Sequence, residues 1–348
     1  MVWIWGRTLG SLSAVAAWGL AAATPSLAQA PAASELQFFK DKSVRILVGY
    51  GPGGGYDAYA RMIAPYLAKT LGAAVVVENM PGAGGLIALN RVSVSPPDGL
   101  LMQLVNGTGA ILSQLVEDKA ARYNLLELGN LGTVSASPWM WMVGPQSTMR
   151  TLADALKPDT RIAWAGGGPA DGLADGAAFT CEALRLNCRI VIGYKGSNDA
   201  ALAVIRGEMD AIYVSDTSAH NYAKSNGALA VLTMGRKSSR FFPTTPLVFD
   251  VAKLDQRSQW VMDFRSTLED LGRILLVPPK LPPGRLAALQ EAVRTTLADP
   301  ALIAEGERSQ RYIGYLDAAT TRRSIEKVLG DPTPEQRALV KTIMARVQ

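Results

Sequence analysis

Short apolar runs rich in Val, Ile and Leu alternate along the chain with stretches whose apolar residues recur every three or four positions. The runs VRILVGY (44–50), AAVVVEN (73–79) and LLMQLVNG (100–107) read as strands. Between the first two, Ala60, Ile63, Ala64, Leu67 and Leu71 form one apolar helix face, with Pro65 expected to bend that helix. PPDG (96–99) is a turn before the third strand. A second series follows: RIAWAGGG (161–168), a helix from about Leu173, RIVIGY (189–194), a helix near Asp199 to Met209, and AIYVSD (211–216). The chain closes on helices, one marked by Leu286, Leu289, Val293 and Leu297. Another is opened by Thr333 as cap, Pro334 at the first helical position and Gln336 three residues on. This alternation predicts an α/β fold with largely parallel sheets, and the length suits two domains.

The two series share an internal echo. RILVGYGPGGGYDA at 45 and RIVIGYKGSNDA at 189 each run from a strand end through Gly-Tyr and a further glycine to Asp-Ala at a helix start. A helix N-terminus offers free N–H groups and a favourable dipole to an anion, and ligands of open α/β sheets bind at that strand edge. Tight turns needing glycine at positive φ are the alternative. Gly49, Gly51 and Gly54 also satisfy G-x-G-x-x-G, and Glu78 supplies the acidic residue of a dinucleotide fingerprint. A secreted cofactor-binding oxidoreductase is therefore the first reading to test. It is weakened because Pro52, Gly55 and Tyr56 intervene before the helix. Hydrolase, metalloprotease and P-loop motifs are missing from the sequence, and a catalytic triad would have to recruit the single histidine, His220, expected on a partly exposed helix.

The N-terminus changes the compartment. Arg7, the apolar stretch from Leu9 to Ala23 and Ser26-Leu27-Ala28 read as a signal peptide, residues 1–28, cut after Ala28 and followed by a flexible segment 29–34; an uncleaved anchor is the alternative. Removing Arg7 takes the net charge from +5 to +4, and no basic run argues for nucleic acid. In an oxidising compartment Cys181 and Cys188 are expected to pair, with two buried free thiols or a poorly supported metal site as alternatives.

GYGPGGGYDAYAR, VVVENMPGAGG, SPPDG, GYKGSNDAALAVIRGEMDA and VPPKLPPGRLAALQEAV follow one another in a recognisable order. Over nearly all of the mature chain the sequence resembles the periplasmic substrate-binding proteins of tripartite tricarboxylate transporters, the Bug or TctC-like family. The resemblance implies a two-lobed periplasmic binding protein fold of type II-like, hinged-trap form. Lobe 1 would span 35–138 plus 235–348, and lobe 2 would span 139–234. It further implies no catalysis and no cofactor, a small organic acid as ligand, a tripartite tricarboxylate-type membrane permease as partner, and a monomer in the periplasm. A ligand-dependent signal to a membrane sensor is the alternative role.

In that family the ligand carboxylate is held largely by two loops. Position by position, these are Gly51, Pro52, Gly53, Gly54, Gly55, Tyr56 and Asp57 in one, and Tyr194, Lys195, Gly196, Ser197 and Asn198 in the other. Asp57 and Asp199 are then expected to cap helices, since a carboxylate facing a bound carboxylate would repel it. Many relatives carry hydroxyls after the strand at 161, where this chain has Gly166, Gly167, Gly168, Pro169, Ala170, Asp171 and Gly172. Asp171 is a cleft candidate, although capping its helix and facing water is the simpler role. Tyr50, Tyr56, Trp164 and Tyr194 could form an aromatic wall that favours an apolar or aromatic acid, while Tyr59 is expected in the core. Thr108, Asp216 and Thr217 are further candidates. Arg273 could meet a second ligand carboxylate or an acid of the frame, the frame being preferred.

Overall fold

The computed structural model describes residues 35–347; the expected signal peptide and the segment 29–34 lie outside the described residues. Two five-stranded sheets organise the chain. In the first, β1 (Ser43–Val48), β2 (Ala74–Asn79), β3 (Leu101–Asn106), β4 (Gly129–Ser135) and a returning strand β10 (Arg273–Val277) lie in the order β2-β1-β3-β10-β4. In the second, β5 (Trp139–Val143), β6 (Ile162–Ala165), β7 (Cys188–Val191), β8 (Ala211–Ser215) and β9 (Leu229–Thr233) lie in the order β7-β6-β8-β5-β9.

The expected parallel arrangement holds for β1 with β2 and β3, and for β6 with β7 and β8. Strands β10 and β5, however, pair antiparallel with both neighbours. The physical reason is connectivity. Each arrives from the other sheet without a crossover helix of its own sheet, so nothing imposes the parallel direction. The chain crosses between the sheets at 136–138 and again between β9 and β10.

The local signals of the sequence are realised. The helix Gly55–Leu71 runs through Pro65 and ends on Gly72 in the left-handed conformation, where glycine carries no Cβ penalty. The helix Pro334–Met344 opens with a capping box between Thr333 and Gln336. A disulfide joins Cys181, near the end of the helix Gly172–Ala183, to Cys188 at the start of β7, across a Cα separation of 6.2 Å. The helices Gln256–Glu269 and Pro334–Met344 both pack on the helix Gly172–Ala183. The stretch 235–347 thus supports the second sheet as well as the first.

Beneath those helices lies a fully buried charged cluster. The Arg265 guanidinium sits 3.0 Å from Asp175 and 3.6 Å from Glu269, and Tyr213 donates its hydroxyl hydrogen to Glu269. Burial pushes Glu269 up to about 8, against the pull of Arg265. The cluster ties the crossing helix to the floor of the second sheet.

Candidate binding site

Both echoed loops leave the end of a strand and enter a helix, as the sequence predicts, and the fold brings them into contact. The Gly51 amide donates to the Lys195 carbonyl at 2.9 Å. A Cβ added to Gly51 would lie 3.4 Å from Lys195, and one added to Gly54 would lie 3.6 Å from the Ser197 hydroxyl. A Cβ at either position would make only ordinary contact, so it is a larger side chain at 51 or 54 that would press on the second loop. Gly53, at φ +82°, is the one residue of the first loop that the left-handed conformation reserves for glycine.

Asp57 fixes the first loop from behind. Its carboxylate accepts the Gly53 amide at 2.9 Å, Arg61 Nε at 3.0 Å and Asn79 Nδ2 at 2.9 Å, and Asn79 also donates to the Tyr50 carbonyl. Burial opposes its charge, but the hydrogen bonds from Arg61, Gly53 and Asn79 outweigh it and hold the group below the usual carboxylate range. The carboxylate thus points into its own loop and helix, as a residue that shapes the loop rather than touching what the loop holds.

Under the joined loops lies a cavity of about 30 Å³ lined by Tyr50, Gly54, Gly55, Tyr56, Asp171 and Ser197 together with Trp139, Leu173, Val214, Ser215, Ser218 and Arg273. Two helices begin at its wall without a side-chain cap, at Gly54 and Gly196, leaving their first N–H groups unspent by the protein's own side chains, whereas in the helix after Ser215 the Asp216 amide is spent on the Pro138 carbonyl. Tyr50 and Tyr56 stack with ring centroids 4.8 Å apart, and the Tyr50 hydroxyl donates to the Gly84 carbonyl at 2.8 Å. The glycine turn around Gly84 bridges the sheets: a Cβ on Gly84 would strike the Ala170 carbonyl carbon at 2.4 Å. On the outer side of the loops a polar groove of about 320 Å³ is lined by Gly53, Asn198, Thr217, Asn221, Tyr222 and Arg311, among others.

Several expected positions differ. Trp164 does not face the cleft; it is fully buried against Trp141, with centroids 4.9 Å apart, because β6 is an inner strand whose two faces are both covered. Thr108 donates its hydroxyl to the Leu268 carbonyl inside the frame. Asp216 accepts from Ser239 and also lies outside the cavity lining. Tyr194, Lys195 and Gly196 shape the second loop without lining the cavity, while Gly167 and Gly168 back it: Gly167 donates to Asp171, and Gly168 lies against Gly84. Asp171 does cap its helix, accepting from Leu173 N at 3.2 Å and Gly167 N at 2.5 Å, but it does so inside the cleft rather than facing water. Its burial, reinforced by Asp175 and opposed by those two amides, pushes the carboxyl up to about 7.

Arg273 departs furthest from the expected frame partner. Among the described residues it forms no ion pair. Its hydrogen bonds go to Ser215 Oγ at 3.1 Å and Ser135 Oγ at 3.3 Å, and its Nε is buried with no partner. The side chain is almost wholly buried, between the rings of Tyr59 and Tyr56 at 4.5 and 5.2 Å. Trp139, Ser215 and Ser218 were not anticipated in the sequence, since β5, the end of β8 and the first turn after it carry no local motif.

The profile of the tripartite tricarboxylate transporter family receptor matches residues 59–309. A UPF0065 protein of Bordetella pertussis is 25% identical over 289 residues, covering 81% of this chain and 84% of the relative. The protein BugT of the same organism is 26% identical over 242 residues, covering 67% and 72%. Among solved structures, the periplasmic binding protein BugD superposes with a TM-score of 0.73 at 21% identity, over 88% of this chain and 98% of that one. MatC from Rhodopseudomonas palustris with bound malate gives 0.65 at 21%, over 88% and 96%, and an R. palustris protein with adipate gives 0.72 at 15%, over 86% and 97%. These structures share the two-lobed fold.

Proposed function

Because the chain belongs to the tripartite tricarboxylate transporter receptor family, we propose that it is exported to the periplasm, captures a small organic carboxylate between its two sheets, and delivers it to a tripartite-type membrane permease. The observation that carries this reading is the meeting of the echoed loops, Gly51 N to Lys195 O, over a cavity onto which uncapped helix N-termini open. N–H groups from both sheets can then hold one carboxylate, and the acids nearest the loops are already spent on capping. That malate and adipate occupy proteins of this fold is in keeping with such a ligand.

A cavity of about 30 Å³ takes one or two waters, so an organic acid enters only when the loops part. The Gly51–Lys195 hydrogen bond contributes roughly 1 kcal/mol net, and opening must also part the Gly84 loop and Asn106 from Ala170, so a ligand that bridges the loops stabilises the closed form against these losses. No step of catalysis is needed for this cycle.

The test is thermal unfolding of the mature protein, stripped of bound solute, against mono-, di- and tricarboxylates. A ligand at a hundred times its Kd adds about 2.7 kcal/mol. An upward shift with carboxylates and none with matched amides supports the reading; shifts with amides alone refute it.

A further inference from the structure

Arg273 sits where the loops, the second sheet and the crossing strand meet. A Cβ on Gly55, the first residue of the helix behind the first loop, would lie 3.3 Å from the Arg273 Nη2 and 3.1 Å from the Ser218 hydroxyl. Ser215 Oγ bonds the same guanidinium nitrogen and also reaches Ser218 Oγ at 3.3 Å. A buried cation, hydroxyls and uncapped helix starts therefore share one wall of the cavity, and part of the guanidinium is still without a partner.

A buried arginine without an acid is costly, by several kcal/mol in ordinary proteins, and structural arginines are usually paired. Arg265 shows the paired solution in this same chain, between Asp175 and Glu269. Arg273 instead has only neutral hydroxyls and the faces of Tyr56 and Tyr59. Asp216, the acid at the start of the neighbouring helix, feels the charge of Arg273 but is turned to Ser239. Among the described residues the loops close over a guanidinium that no carboxylate contacts directly.

The rest of the cavity limits what can compensate it. Arg273 is the only cationic side chain among the lining residues, and the wall formed by Trp139, Leu173 and Val214 is apolar. The one acid of the lining, Asp171, spends both carboxylate oxygens on backbone amides. With the helix N-termini and Arg273 engaged by one carboxylate, a second would be set against this apolar wall or this acid, since the other cation near the loops, Arg311, lines the outer groove and not the cavity.

We propose that Arg273 is the residue that selects the ligand's charge: its guanidinium pairs with a single carboxylate, and the site takes small monocarboxylates in preference to dicarboxylates. This rests on the carboxylate-binding reading above and narrows it. Closure is then coupled to neutralisation, since the closed form buries Arg273 favourably only with the anion in place.

The experiment measures affinities of the stripped mature protein for propionate, lactate, benzoate, malonate, succinate and adipate, in wild type, Arg273→Gln and Arg273→Lys. Wild type is expected to bind a monocarboxylate at least 10-fold more tightly than the dicarboxylates. Arg273→Gln should weaken that binding by 30-fold or more, with an unfolding midpoint in the absence of ligand equal to or above wild type, because an unpaired buried charge has been removed. Arg273→Lys, which keeps the charge without the fork, should fall between the two and serves as the test if the glutamine variant does not fold. Wild-type binding that persists unchanged in the variants overturns the role of Arg273 and leaves the carboxylate reading intact. Tighter binding of any dicarboxylate overturns the charge selection, and saturable binding of none of the six overturns both readings.

Discussion

Replacing Asp57 by Ala should unclasp the first loop, and the structure sets the size of the effect. Asp57 is nearly inaccessible, and its carboxylate receives the Gly53 amide, Asn79 Nδ2 and Arg61 Nε. Losing the acceptor leaves the Gly53 amide, at an exposed residue, to water at a cost of roughly 0.5 kcal/mol, and strands one part-buried Asn79 hydrogen at roughly 1–2 kcal/mol. Arg61 is half exposed and keeps Asn79 Oδ1, so its loss adds no more than about 0.5 kcal/mol. The sum is about 1.5–3 kcal/mol. Asp57→Asn has one acceptor oxygen and brings two unwanted hydrogens, so it should lie between wild type and the alanine variant.

The pH dependence has a fixed sign. The folded group titrates below its unfolded value of about 3.9. Its contribution is therefore fully present above that pH and is lost as the pH falls through the folded value. Chemical unfolding followed by circular dichroism at pH 7 and pH 3 measures both effects. A loss below about 1 kcal/mol at pH 7, or a wild-type advantage over Asp57→Asn that does not shrink on acidification, refutes the clasp.

Removing the disulfide with Cys181→Ser and Cys188→Ser should cost about 2–3 kcal/mol on the chain-entropy argument for so short a loop, read by urea unfolding, while ligand affinity stays unchanged because the bond lies away from the cavity lining. Glu269 is raised to about 8 by burial, so the folded state holds a proton that the unfolded chain releases near 4.3. Stability should consequently fall as pH rises through that interval, and Glu269→Gln should flatten this part of the profile when unfolding is followed at pH 5, 6.5 and 8. Arg265→Leu leaves the Asp175 carboxylate buried without its cation and should cost about 3–5 kcal/mol by the same measurement at pH 8.

Much of the architecture is legible in the chain because it rests on local patterns. The strand runs, the two strand-to-helix loops, the helix cap at Thr333 and the cysteine pair each leave a contiguous signature, and the structure contains all of them. The antiparallel placement of β5 and β10 was not legible, since direction within a sheet depends on which connection crosses between sheets. Side-chain facing was harder still. Trp164 and Trp139 both stand on strands covered on both faces, where alternation carries no signal, yet only Trp139 lines the cavity. Asp171 could be recognised as a cap, but its placement inside the cleft follows from the Gly84 loop packing over Ala170, a contact across some 86 positions of chain. Arg273 looked like half of a frame ion pair because most buried arginines are; only the three-dimensional neighbourhood reveals that its partners are hydroxyls and rings.

The central claim, that a carboxylate is captured between the two loops, is tested most directly by calorimetric titration of wild type and Gly54→Leu with the carboxylate that most raises the unfolding midpoint. Gly54 has φ −75° and ψ 173°, which any residue adopts, and faces Ser197 at 3.6 Å, so leucine should leave the fold intact and hold the loops apart. The account predicts saturable one-to-one binding in wild type and loss of 100-fold or more in affinity in the variant, with an unfolding midpoint within 2–3 °C of wild type, roughly 1 kcal/mol for a chain of this size. Undiminished binding by a well-folded Gly54→Leu protein would place the carboxylate elsewhere and contradict the account.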